Sequence, residues 1–329
     1  MHRNETTVVD PPHRARRTDT EDPMTPRARL PHRSPTTAVL TAALVALAAS
    51  ACTPAGAGDD GTLDVVASFY PLQYVVEQVG GEHVDVASLV PPGGEPHDLE
   101  ISPHEVQGLR DADLVVYLPG LQSAADEAVA TLDQEHVVDA AEGAGIGPGG
   151  NGSGSRDPHF WLDPTLLAAV GSQVAGALAG VDPEHADDYA AAADRLSGEL
   201  AALDTELADG LAACAGATVV TSHEAFGYLA DRYGLVQVGL TGLDPEVEPS
   251  PARLRDVGDV VRAEGVRTLF FERSAGPGLT AVLADELGVG TAVLDPLETQ
   301  PRGESDAEPD YLAVMRSNLA ALRTGLTCG

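Results

Sequence analysis

Short apolar runs bounded by Gly, Pro or charge alternate along this chain with stretches where apolar residues return every three or four positions. That is the pattern of strands buried in parallel sheets alternating with amphipathic helices. Leu63 to Ser68 reads as a buried strand, followed by a helix over Leu72 to Val79, a Gly80-Gly81 stop and a strand at Val84 to Val90. A helix from Pro103 to Arg110, a strand at Leu114 to Leu118, a helix from Ser123 to Leu132 and a short strand at His136 to Val138 continue the alternation. Asp163-Pro164 then opens a helix to about Gly180, with Asp163 as N-cap and Pro164 at the first helical position. From Thr218 the alternation resumes: strands at Thr218 to Thr221, Leu235 to Leu240, Arg267 to Phe271 and Thr291 to Leu294, with helices at Ala225 to Tyr233, Pro251 to Glu264, Gly278 to Leu287 and finally Tyr311 to Leu322.

Between the two alternating regions lies a proline-free stretch from Asp182-Pro183 to Cys214 with leucines at 196, 200, 203, 207 and 211 and acids on its other faces. Spacings of four and three specify a helix, roughly 45 Å long at the α-helical rise. Gly198 is its one obvious weak point, so small lobe movements are expected over wide closure. The pattern predicts an α/β chain of two Rossmann-like lobes, each a parallel four-stranded sheet flanked by helices, joined by one long rigid linking helix. The boundaries are an N-terminal lobe at 62–181, the linking helix at 182–213 and a C-terminal lobe at 214–329. Residues 143–155, rich in Gly, Pro, Ser and Asn, read as a mobile surface loop.

Composition agrees with two lobes, since 329 residues exceed one ordinary core and 43% are hydrophobic. Aromatics are only 4%, leaving Ala and Val to supply much of the packing. No apolar run reaches the roughly 20 residues of a spanning helix.

The amino terminus has a different character. Arg27, Arg29, His32 and Arg33 precede an apolar run from Ala38 to Ala49 that stops at Ala49-Ser50-Ala51-Cys52. This reads as a secretory signal peptide over residues 1–52 ending in a lipobox, with lipidation expected at Cys52 and 53–61 as a flexible tether. Ala49 departs from the commoner leucine, and the acidic segment before Met24 points to Met24 as the true start. Removing 1–52 takes away seven arginines and five acids, turning the formal charge of −32 into −34, and the chain has no lysine. Such a surface repels nucleic acid. Two cysteines remain, Cys214 and Cys328, an even pair that argues for a disulfide in an exported chain.

Three histidines and an aspartate stand near strand ends or helix starts: His97, His159, His223 and Asp295. A single histidine there is more often a capping or solvent-facing residue than a ligand, so setting matters. His97 ends the stiff Pro91-Pro92-Gly93-Gly94-Glu95-Pro96-His97 segment, His159 sits in Asp157-Pro158-His159-Phe160-Trp161, and His223 in Ser222-His223-Glu224. Open parallel sheets bind ligands beyond the carboxyl ends of their strands, which puts two of the four on each lobe at one cleft. Three imidazoles and a carboxylate suit a borderline divalent cation, and a shell with no open position suits holding it over reacting it. Glu272, after another strand end, is expected to orient a histidine, and Glu95 is an alternative fourth ligand. His104 reads as a surface histidine.

Four segments in order resemble the substrate-binding lipoproteins of ABC importers for zinc and manganese: Pro92 through Pro103, Asp157 through Pro164, Thr221 through Tyr228, and Leu294-Asp295-Pro296-Leu297, across residues 62 to 326. The resemblance implies His97, His159, His223 and Asp295 as metal ligands, Zn2+ as cargo, and a membrane permease with its ATPase as partners. It implies a lipid-anchored monomer on the outer face of the cytoplasmic membrane and no enzymatic activity. Members that resemble manganese binders carry a carboxylate in place of the third histidine, so His223 favours zinc over Mn2+. Many zinc-uptake relatives have a histidine-rich tract where this chain has its glycine-rich loop. Two rivals remain: a zinc hydrolase with water in the fourth position and Glu224 or Glu272 as base, and a surface adhesin carrying metal for stability.

Overall fold

A computed structural model describes residues 61–147, 157–274, 276–301 and 309–328. The expected signal peptide, Met24, Cys52, nearly all of the tether and most of the glycine-rich loop lie outside them.

The chain order is β1 (Leu63–Ala67), α1 (Tyr70–Gly80), β2 (Val84–Ser88), α2 (Pro103–Asp111), β3 (Leu114–Tyr117), α3 (Ser123–Val129), β4 (Val137–Asp139), α4 (Ala140–Gly143), α5 (Pro164–Val181), α6 (Ala186–Leu211), β5 (Thr218–Thr221), α7 (Gly227–Tyr233), β6 (Val236–Gly239), α8 (Pro251–Ala263), β7 (Thr268–Phe271), α9 (Gly278–Leu287), β8 (Gly290–Val293) and α10 (Tyr311–Gly325). Two four-stranded sheets form, ordered β2-β1-β3-β4 and β6-β5-β7-β8, with every pairing parallel. Of the central strands, β3 is a continuous apolar run, Leu114–Tyr117, with its first three residues buried.

Helix starts follow local chemistry. Asp163 caps α5 by accepting from the Thr165 N–H at 2.8 Å, and Ser102 and Glu105 form a capping box at α2. The short helix α4 has no counterpart in the hydrophobic pattern; it is nucleated by Asp139, whose carboxylate accepts from the Ala141 N–H at 2.8 Å. The linking helix is shorter than the pattern suggests. Asp182 turns its carboxylate to His185 Nδ1 and the Tyr189 hydroxyl, at 2.6 and 2.8 Å, and residues Pro183–His185 form a 3-10 turn before α6 begins.

Leu196, Leu200, Leu203, Leu207 and Leu211 of α6 are all buried. The helix packs on α1 and α5 at its start and on α7 and α10 further along, so it belongs to both lobes. Helix α5 is long and apolar enough to cross a membrane. It is a core helix instead, with Leu167, Val170, Val174 and Leu178 fully buried and Gly171 pressed so closely on α6 that a Cβ there would meet Leu196 Cδ2 at 3.2 Å. Cys214 and Cys328 are disulfide-bonded, with Cα atoms 5.1 Å apart, fastening the chain end below β5.

Side chains also tie the lobes together. Trp161 Nε1 donates to the Pro296 carbonyl at 2.7 Å, the Tyr311 hydroxyl to the Trp161 carbonyl at 2.6 Å, and Tyr74 stacks on Tyr311 with centroids 5.4 Å apart. One apolar cluster runs through both halves, from Val65 in β1 to Leu322 in α10.

Candidate metal centre

His97 lies on the loop between β2 and α2. Its approach is a turn in which the Gly94 N–H donates to the Pro91 carbonyl at 2.8 Å, with Pro92 and then Gly93 at the centre. Gly93 has φ 74°, the left-handed conformation this turn type requires at its third residue. Glu95 caps the result by accepting from the His97 N–H at 3.1 Å. His159 precedes a 3-10 turn at Phe160–Leu162 whose three side chains are fully buried, which fixes the imidazole above the core. His223 stands two residues beyond β5; its carbonyl accepts from Thr221 Oγ1 at 2.6 Å.

These three histidines meet Glu298, on the segment after β8. One donor atom from each of His97, His159, His223 and Glu298 lies within 4.8 Å of all the others. Glu298 Oε1 is 3.0 Å from His159 Nε2, 3.2 Å from His223 Nε2 and 3.6 Å from His97 Nε2, and the two closer imidazole nitrogens are 3.4 Å apart. A tetrahedron with metal–ligand bonds of about 2.0 to 2.1 Å has edges of about 3.3 to 3.4 Å, so this spacing fits a four-coordinate cation. His159, His223 and Glu298 are buried, and the buried His97 Nε2 has no hydrogen-bond partner. A buried ring nitrogen left in that way is costly unless a ligand satisfies it.

Asp295 is not part of the cluster. Its Oδ1 accepts from the Leu297 N–H at 2.9 Å and its Oδ2 lies 4.0 Å from Arg273 Nε, so the carboxylate is engaged in its own turn. The carboxylate that meets the histidines stands three residues later. The sequence carries little to separate the two acids, since both follow the same strand and only the path of the turn between them decides which faces inward. Glu95, the other alternative, is held by the His97 backbone.

Behind the cluster, two carboxylates orient imidazoles. Asp157 Oδ1 is 2.7 Å from His159 Nδ1, and Glu272 Oε1 is 2.5 Å from His223 Nδ1 while also accepting from Ser222 Oγ at 2.5 Å. Each bond occupies Nδ1 and leaves Nε2 toward the centre, as metal-binding histidines require. Burial works against the charged form of His223, but Glu272 and Glu298 outweigh it and push the group up to about 10. His159 is raised too, because Asp157 and Glu298 overcome its burial. Burial alone would raise Glu298; the imidazoles around it hold it well below the usual carboxylate range. His159 and His223 thus hold their protons more tightly than a free imidazole does, and a cation taken at their Nε2 atoms would have to displace them. Glu224 lies outside this set, paired with Arg253 Nη2 at 3.0 Å, and His104 is exposed.

Residues 65–325 match the family model described as zinc-uptake complex component A, periplasmic. The chain belongs to this family. It is 31% identical over 299 residues to the high-affinity zinc uptake system protein ZnuA of Bacillus subtilis, covering 86% of this chain and 94% of that one. It is 34% identical over 300 residues to the zinc-binding lipoprotein AdcA of Streptococcus pneumoniae, covering 87% of this chain but 60% of that protein's length. Among solved structures of the family, the Zn(II)-bound ZnuA-like domain of S. pneumoniae AdcA is 33% identical with a TM-score of 0.68, covering 81% of this chain and 99% of the other. The laminin-binding protein Lmb of Streptococcus agalactiae, described as bifunctional with adhesin and metal-transporting activity, is 32% identical with a TM-score of 0.72, covering 80% and 99%.

Proposed function

We propose that this chain is the zinc-capturing receptor of an ABC importer, holding the ion between its lobes and passing it to a membrane permease driven by an ATPase. The observation that carries this reading is the convergence of His97, His159, His223 and Glu298 within 4.8 Å. Three neutral imidazoles and one carboxylate favour zinc over the harder manganese ion. Relatives named for zinc uptake and zinc binding support the same cargo. Glu298 fills the fourth position, Glu224 is paired to Arg253 and Glu272 is bonded to His223 and Ser222, which supports carriage over hydrolysis. Lipidation at Cys52 would keep the receptor, as a monomer, on the outer face of the cytoplasmic membrane.

The test is metal analysis and competitive chelator titration of the chain from residue 53 onward. Zinc is expected to bind with one equivalent per chain, and His223→Ala to weaken it by orders of magnitude while manganese binds far more weakly to both. Equal zinc binding by wild type and His223→Ala would sink the assignment. The likeness to Lmb favours one second reading, adhesion to laminin. Saturable laminin binding by the purified chain would support it.

A further inference from the structure

We infer that Asp295 is a positioning residue for zinc: it holds the turn that aims Glu298 into the three histidines, without touching the metal. The inference rests on the zinc-receptor reading above. Leu297, between the two acids, has φ 59°, a left-handed conformation that side chains other than glycine rarely adopt. Such a residue persists only where its surroundings over-determine it. Here they do so from every side. The Leu297 side chain is fully buried in the shared core. Its N–H donates to Asp295 Oδ1 at 2.9 Å. Asn318 of α10 clamps the Asp295 backbone twice, accepting from its N–H at 2.9 Å and donating to its carbonyl at 2.7 Å. Trp161 holds the Pro296 carbonyl at 2.7 Å from the opposite lobe.

The left-handed residue sets the direction in which the chain enters Glu298. An ordinary extended or helical Leu297 would send that carboxylate in another direction, so the turn and the ligand are one device. Asp295 lines a small cavity of about 180 Å³ together with Arg273 and Glu298. A carboxylate fixed in advance spares the ordering cost when the ion arrives, which gives tighter retention than a loop carrying the same glutamate. The acceptor oxygen is what matters in this account, and the charge is not.

The experiment compares Asp295→Ala, Asp295→Asn, Glu298→Ala and the Asp295→Ala/Glu298→Ala double variant. Zinc affinity is read by chelator competition, the ligand set by the visible spectrum of the Co2+-loaded protein, and folding by the melting of the metal-free chain. Asp295→Ala should weaken zinc roughly 10- to 100-fold and shift the Co2+ spectrum toward that of Glu298→Ala. Asp295→Asn, which keeps an acceptor for the Leu297 N–H, should recover most of that loss and restore the wild-type spectrum. The double variant should bind no more weakly than Glu298→Ala alone, because both act through one carboxylate. If Asp295→Asn loses zinc as severely as Glu298→Ala, the charge or direct ligation is responsible and the inference is overturned; this arm decides the matter even if the alanine variant does not fold. Asp295→Ala binding like wild type overturns it too. Equal binding by wild type and Glu298→Ala would instead indict the ligand set itself.

Discussion

Glu272 Oε1 lies 2.5 Å from His223 Nδ1, so the imidazole is held from behind with Nε2 turned toward Glu298. The same oxygen accepts from Ser222 Oγ, which fixes the carboxylate in turn. Glu272→Ala frees the ring and removes a negative charge from beside it. Zinc affinity should fall roughly 10- to 100-fold, measured by chelator competition, although His97, His159, His223 and Glu298 are all still present. An unchanged affinity would show that packing alone orients His223.

Zinc capture should release protons. His223 is raised to about 10 in the metal-free chain, so it carries its proton at neutral pH, whereas a cation binds the neutral ring. Affinity therefore rises with pH until the histidine has titrated near 10. For the metal-free fold the sign is opposite: a raised histidine contributes stability that is full below its ordinary value of 6.5 and is lost as pH climbs through about 10. Calorimetry of zinc binding in buffers of different ionisation enthalpy should count at least one proton released near neutral pH. A count of zero would contradict a protonated His223.

Trp161 is the only tryptophan in the chain, and its ring centroid lies 5.2 Å from that of His159. Intrinsic fluorescence should change on zinc addition and saturate at one equivalent. The same indole ties the lobes through Pro296, so Trp161→Phe should cost about 1 to 3 kcal/mol for the stranded carbonyl, read as a lower urea midpoint.

The Cys214–Cys328 bond closes a loop with a sequence separation of 114. On the chain-entropy model its loss costs about 4 to 5 kcal/mol, so a double Cys→Ser variant should unfold at markedly lower denaturant. The site lies at the other end of β5, and zinc affinity should hold.

Much of this was legible without coordinates because burial writes itself into spacing. Strands sandwiched between helices must be apolar throughout, and Leu114 to Tyr117 is; a helix shared by two lobes must repeat leucine every three or four residues, and α6 does from Leu196 to Leu211. His97 and His159 stood out because rigid Pro-rich or aromatic neighbours hold them near a strand end or helix start, and His223 because Ser222-His223-Glu224 follows a strand where a helix was expected to begin. Helix α4 escaped the same reading, since four residues are too short for a period and only the Asp139 cap defines them.

The chain itself determined two parallel α/β lobes, the helix joining them and three histidines of a kind that suits a metal, because each of these is a local pattern of residue types. Tertiary structure alone decided which carboxylate meets the three histidines. Asp295 and Glu298 share one loop and one chemistry, and it is the left-handed Leu297, in a turn held by Asn318, Trp161 and the core from far along the chain, that leaves Glu298 and not Asp295 among the histidines.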